Sequence, residues 1–127
     1  MIVGIGTDLV EIERIKSSIE KLGMRFIKRV LTENEIERYL SIGNKDKACA
    51  FVAKRFAAKE AASKAIGTGI GRGVSFQHFE IINLENGQPT LKVDSIVNKR
   101  LPKGASWHLS LTDEQCYAQA FVIVEAI

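Results

Sequence analysis

Residues 45–66 read KDKACAFVAKRFAAKEAASKAI, and this stretch decides the fold. Alanine is abundant, Gly and Pro are absent, and Ala48, Phe51, Val52, Phe56, Ala62 and Ile66 recur at helical spacing. The pattern predicts one long helix with a broad apolar face. Gly67 is the expected stop, and GTGIGRG (67–73) is expected to be a flexible loop. Arg55 and Lys59 stand four apart with like charge, whereas Glu60 and Lys64 form a favourable pair at the same spacing. A solvated, salt-bridged face accounts for each of these residues singly. The glycine loop adds a second reading: lysines supply point charge to a phosphate, and Gly67 and Gly69 let backbone N–H groups approach it. The loop is no Walker A motif, since it lacks GKS or GKT and follows a helix instead of opening one.

Beyond the loop the pattern changes period. VSFQHFEIINL (74–84) alternates like a strand, Asn86-Gly87 is a turn, and PTLKV (89–93) is a short strand. DSIVNKRL (94–101) suggests a short helix stopped near Pro102, and SWHLSLT (106–112) with YAQAFVIVE (117–125) forms a final hairpin around Asp113-Glu114. Before the long helix, IVGIGTD (2–8) has strand character, with Gly4 and Gly6 marking a bulge or a close approach. Thr7 and Asp8 are placed to cap the helical VEIERIKSSIEKLG, which Gly23 would stop. MRFIKRVL (24–31) is helical or turn-like, and Thr32 with Glu35 makes a capping box for a helix to about Leu40. The order, one strand, then helices, then strands, predicts an α+β fold in a single domain over 1–127. Its helices, one long and Ala-rich, should pack on a mainly antiparallel sheet.

The bulk properties narrow the function. A chain of 127 residues, 46% hydrophobic and 26% charged, is an ordinary globular protein. No run of about 18 apolar residues offers a membrane span. The N-terminus has no leading basic region and contains Asp8, so a cytoplasmic protein is expected. Cys49 and Cys116 fall in no metal-ligand spacing and read as reduced thiols. The net charge of +3 is too small to argue for nucleic acid, and the aromatics do not interleave with the basic run. The distribution says more: Arg14, Lys16, Lys21, Arg25, Lys28 and Arg29 face only Glu20, a local excess that suits an acidic partner. Two readings are open for the carboxylates. Asp8 is a helix N-cap or a Mg²⁺ ligand, and Glu60 is a helix salt bridge or the second ligand, since Mg²⁺ on a pyrophosphate takes one or two protein carboxylates.

GIGTDLVEIERI (4–15) and RFAAKEAASKAIGTGIGRGVSF (55–76) together resemble the paired signatures of holo-acyl-carrier-protein synthases, short bacterial-type members of the phosphopantetheinyl transferase superfamily. The tail SWHLSLTDEQCYAQAFVIVE is similar to that family's last hairpin, so the resemblance spans the chain. It implies the 4′-phosphopantetheinyl transferase fold and transfer of 4′-phosphopantetheine from coenzyme A to a serine of apo-acyl carrier protein. It also implies Mg²⁺ and a homotrimer with sites between subunits. By the same resemblance Asp8 and Glu60 hold the metal, and Lys64 faces the coenzyme A phosphates. Arg14, Lys21, Arg25, Lys28 and Arg29 become candidates for docking the acidic carrier protein. Lys21, Arg25 and Arg29 would align if their stretch is one helix. Phe26 and Phe56 are apolar contacts there or core residues. Lys45, Lys47, Arg55 and Arg72 are candidates around the adenine and 3′-phosphate. The chain departs from the family at Asp113, where several members carry histidine, and His108 is either structural or a coenzyme contact. A binding module that lost the chemistry is the rival reading, which retention of Asp8, Glu60 and Lys64 disfavours.

Overall fold

The computed structural model describes residues 1–127. Its elements follow as β1 (Ile2–Glu11), α1 (Ile12–Leu22), α2 (Met24–Val30), α3 (Glu33–Ser41), α4 (Lys45–Ala65), a 3-10 turn (Phe76–His78), β2 (Phe79–Asn83), β3 (Pro89–Val93), α5 (Ser95–Asn98), β4 (Ser106–Asp113) and β5 (Tyr117–Glu125). The strands form an antiparallel sheet in the order β1-β5-β4 and an antiparallel pair, β2-β3. This is the mixed helix and antiparallel-sheet class expected from the sequence. No helix is long and apolar enough to cross a membrane.

Helix α4 is the hub, and it is buried on nearly every side rather than on one broad face: Ala53, Ala57, Ala58, Ala61 and Ala62 are all fully covered. Alanine makes this possible, because a methyl side chain lets neighbouring backbones close in from several directions. The closest neighbour is β1. A Cβ built on Gly6 would lie 1.8 Å from the Ala61 carbonyl oxygen, and one on Gly4 would lie 1.9 Å from that of Ala65. Strand and helix therefore touch backbone to backbone. On the same face of the sheet, Ala118, Ala120, Val122 and Val124 of β5 complete the layer under α4. A cluster of 23 buried apolar residues runs from there to Val30, Leu31, Phe76 and Phe79.

The local readings need three corrections. β1 continues through Thr7 and Asp8 to Glu11, so neither residue caps α1, which starts at Ile12 with no side-chain cap. Pairing with β5 supplies those backbone groups with partners, so the strand extends (Asp8 opposes Ala120). The stop read at Gly23 is present: residues 12–30 are two helices, because Gly23 adopts φ 58, ψ −136 and gives its N–H to Ile19. The strand expected from 74 begins only at Phe79, after the 3-10 turn, and the helix expected over 94–101 is one turn capped by Asp94. The capping box of α3 is present with Thr32 and Glu35 as read, and α4 is capped by Asn44.

Candidate active site

The glycine contacts fix which residues of β1 face α4. Gly4 and Gly6 lie against Ala65 and Ala61, and alternation along the strand turns Asp8 to the same side. There Lys64 donates to Asp8 Oδ1 at 3.0 Å and to the Thr7 carbonyl at 3.0 Å. Glu60, one turn before Lys64, lines the same cavity of about 360 Å³ as Asp8 and Lys64. Burial, the larger cause, and the Asp8 charge, the smaller, hold the Glu60 carboxyl above the ordinary carboxylate range, with Lys64 and Arg29 opposing. Two crowded carboxylates and one half-exposed ammonium are thus gathered at the edge of the sheet. The donor set fits Mg²⁺, which binds through one or two carboxylates and completes its shell with phosphate oxygens and water. No cluster of three or more His, Cys, Asp or Glu occurs in the chain.

The basic segment and α4 supply further parts of the cavity wall. Arg14, Ile15 and Ser18 of α1, Phe26 of α2 and Phe56 of α4 line it. An adjoining cavity of about 340 Å³ shares Glu60, Phe26 and Phe56 and adds Arg29, Val30, Ile70 and Phe76. Phe26 and Phe56 stack at 6.3 Å between ring centroids, Phe56 meets Phe76 at 5.3 Å, and the Arg29 guanidinium lies 5.9 Å over the Phe76 ring. Phe26 is both core and wall: it is buried and still borders the carboxylate cavity. Lys21, Arg25 and Lys28 are exposed, but the break at Gly23 removes the single-helix alignment expected for Lys21, Arg25 and Arg29.

Other expected contacts are not assembled within one chain. The N–H groups of Gly67, Thr68 and Gly69 return to the carbonyls of Lys64 and Ser63, and that of Gly71 bonds to Val74. They close the C-terminus of α4, so the N–H groups of Gly67 and Gly69 are engaged within the chain. Arg55 is 4% exposed, sits 3.7 Å over the Phe51 ring and lies 3.8 Å from Glu35, away from Asp8. Lys45 and Lys47 begin α4, about 20 Å along the helix from Glu60 at 1.5 Å per residue. Lys47 borders a separate cavity with Lys16, Cys49 and Cys116. Arg72 is exposed and gives its carbonyl to Arg100. Asp113 pairs with Lys54 at 3.6 Å, and His108 with Glu125 at 2.9 Å.

The buried pairing of Glu35 with Lys59 escaped the sequence reading, which had the first only as a capping residue and the second only as one of two like charges. Lys59 is fully buried and donates to Glu35 Oε1 at 2.5 Å and to the Val30 carbonyl at 2.6 Å. Burial pulls its ammonium below the ordinary lysine range, against the opposing effect of Glu35. The signal was present: Ala57, Ala58, Ala61 and Ala62 put small residues on several faces of the helix around position 59, so burial there is not confined to one stripe.

Comparison with known proteins adds a third line. The family model described as the 4′-phosphopantetheinyl transferase superfamily matches residues 4–123. A holo-[acyl-carrier-protein] synthase of Marinomonas sp. is 65% identical over 126 residues, covering 99% of each chain. One of Shewanella denitrificans is 50% identical over 127 residues, covering 98% of each. Among solved structures, the holo-[acyl-carrier-protein] synthase of Neisseria meningitidis superposes with a TM-score of 0.89 at 39% identity, over 99% of this chain and 100% of that one. That of Bacillus anthracis, in complex with CoA (3′,5′-ADP), gives 0.85 at 40% identity over 100% and 99%.

Proposed function

The chain belongs to the 4′-phosphopantetheinyl transferase superfamily, and on that premise we propose that it transfers 4′-phosphopantetheine from coenzyme A to a serine of apo-acyl carrier protein. The products are holo-acyl carrier protein and adenosine 3′,5′-bisphosphate, in support of fatty acid biosynthesis. One observation carries the reading: Asp8, Glu60 and Lys64, from two elements locked together at Gly6, line one cavity whose walls are basic and aromatic.

Asp8 and Glu60 are assigned as the residues that would hold Mg²⁺, which when bound neutralises charge on the pyrophosphate of the donor. Lys64, 49% exposed on its side chain and able to leave Asp8, is assigned to the coenzyme A phosphates. The leaving nucleotide phosphate needs little protonation, so the lining residues need include no strong general acid. Arg14, Arg25, Arg29 and Lys28 offer positive charge to an acidic carrier, and Phe26 and Phe56 an apolar floor.

We assign residues 1–127 to one transferase domain, in keeping with their continuous core. The assembly proposed is a homotrimer with sites between subunits. The sheet face opposite α4 supports it, because Ile5, Leu9, Tyr117 and Phe121 stand 57%, 61%, 43% and 41% exposed there. Lys45 and Lys47, remote from the cavity of their own chain, are then assigned to coenzyme A held by a neighbouring subunit. Two free thiols, Cys49 and Cys116, suit the reducing cytoplasm.

The test is direct. Incubated with coenzyme A, Mg²⁺ and apo-acyl carrier protein, the protein should raise the carrier's mass by one phosphopantetheine. A carrier of unchanged mass, with Mg²⁺ or any other divalent cation, would leave the chain as a binding module.

A further inference from the structure

Lys59 is the neighbour of Glu60 in α4, yet it points into the core, where burying an ammonium is costly. Replacing a buried ion pair by apolar groups is often neutral or stabilising, so stability alone gives little reason for one here. Its two partners suggest another role. Val30, which accepts from Lys59 at 2.6 Å, is the last residue of α2, and a cation favourably closes a helix C-terminus. Gln77 acts beside it, donating from Nε2 to the carbonyls of Lys28 at 2.7 Å and Leu31 at 2.8 Å. The closing carbonyls of α2 are therefore held by side chains from α4 and the 3-10 turn. Glu35 steadies Lys59 and accepts from the N–H groups of Thr32 and Ile81, each at 2.9 Å.

Helix α2 is also a wall of the site. Phe26 borders the cavity of Asp8 and Lys64, and Arg29 and Val30 border the adjoining one, with Glu60 common to both. We propose that Lys59 is a positioning residue: with Gln77 it clamps the C-terminus of α2 so that an acceptor docked on α2 meets the cavity of Asp8 and Glu60 in register. The inference rests on the transfer reading above. A hydroxyl nucleophile must approach its target to about 3–3.5 Å, and a misplacement of 1 Å can cost about 10²-fold, so a tilt of α2 is felt in the chemistry.

The experiment compares the wild type with Lys59→Met/Glu35→Gln, which removes the charges together, and with Gln77→Ala, an exposed position that contributes hydrogen bonds and no core packing. Carrier protein and coenzyme A are varied separately, and amide hydrogen exchange is followed over 24–31. The double variant is expected to lose about tenfold in kcat/KM for carrier while its KM for coenzyme A stays within about twofold, and Gln77→Ala to lose about threefold. Exchange over α2 should quicken in both, with α4 unchanged. Carrier kinetics within about twofold of wild type in a folded double variant would overturn the proposal. An equal rise in KM toward both substrates would do the same, as would unchanged exchange over α2. If the double variant does not fold, Gln77→Ala decides by the same measures. A wild type that modifies no carrier would instead defeat the transfer reading, and exchange over α2 would still report on the clamp.

Discussion

The Cα of Gly6 faces the carbonyl oxygen of Ala61 so closely that a Cβ there would stand 1.8 Å from it. The neighbouring atom is backbone, so nothing flexible can yield, and β1 would have to lift away from α4. Gly6→Ala is therefore expected to destabilise the protein by about 3 kcal/mol, the upper end for overpacking. Gly43→Ala, whose Cβ meets nothing within 4 Å, should change stability by less than about 0.5 kcal/mol. Chemical denaturation of the two side by side checks the contrast. Any folded Gly6→Ala should also transfer poorly, because the same contact sets Asp8 against Glu60.

Glu60 links stability to pH. Its carboxyl is raised above the ordinary 4.5 by burial first and by Asp8 second. Between the unfolded and folded values the folded state binds more protons, so metal-free stability falls as pH rises from about 4.5 through the folded value. Glu60→Gln removes that dependence. In chelator at pH 7 it should melt above the wild type, yet transfer about 10²–10³-fold more slowly. A variant that melts lower than wild type at pH 7 contradicts the assignment.

The basic wall should discriminate between substrates. Arg14→Glu, at the cavity, and Arg25→Glu, exposed on α2, are each expected to raise the KM for carrier protein about tenfold and that for coenzyme A far less. Added salt should weaken carrier binding by the wild type, and by a smaller factor that of either variant, which keeps the remaining basic residues. Equal effects on both substrates would remove these arginines from the docking surface.

The bare sheet face gives a prediction about assembly. Leu9→Glu or Phe121→Glu, each placing a charge on that face, should yield a 14.1 kDa monomer by light scattering. If sites lie between subunits, transfer should fall with the assembly. An unchanged molar mass in both variants would show that this face is not the interface.

The sequence reading reached the α+β class and the long helix, and it singled out Asp8, Glu60 and Lys64, which line one cavity, because helical period, a capping box and two local motifs are written over a few residues each. It misjudged Asp8 as a cap because the partner that extends β1, strand β5, lies more than a hundred residues away. It read the stop at Gly23, and the alignment of Lys21, Arg25 and Arg29, conditional on one unbroken helix, fails at that same residue. Glu35 was legible as a capping residue, and its carboxylate does serve Thr32. Its second duty, to Lys59 and Ile81, depends on three elements meeting, which no window of sequence displays.

The loop after α4 holds its shape by handedness. Gly67 and Gly69 sit at φ 80 and 68, a region natural for a mirror-image residue, and their N–H groups are already engaged. A synthetic chain carrying D-alanine at either position should keep the native turn, and its unfolded state would have fewer conformations to choose from. Those two sites distinguish what glycine does there from mere looseness: L-alanine would strain the loop, whereas its mirror image would stiffen it.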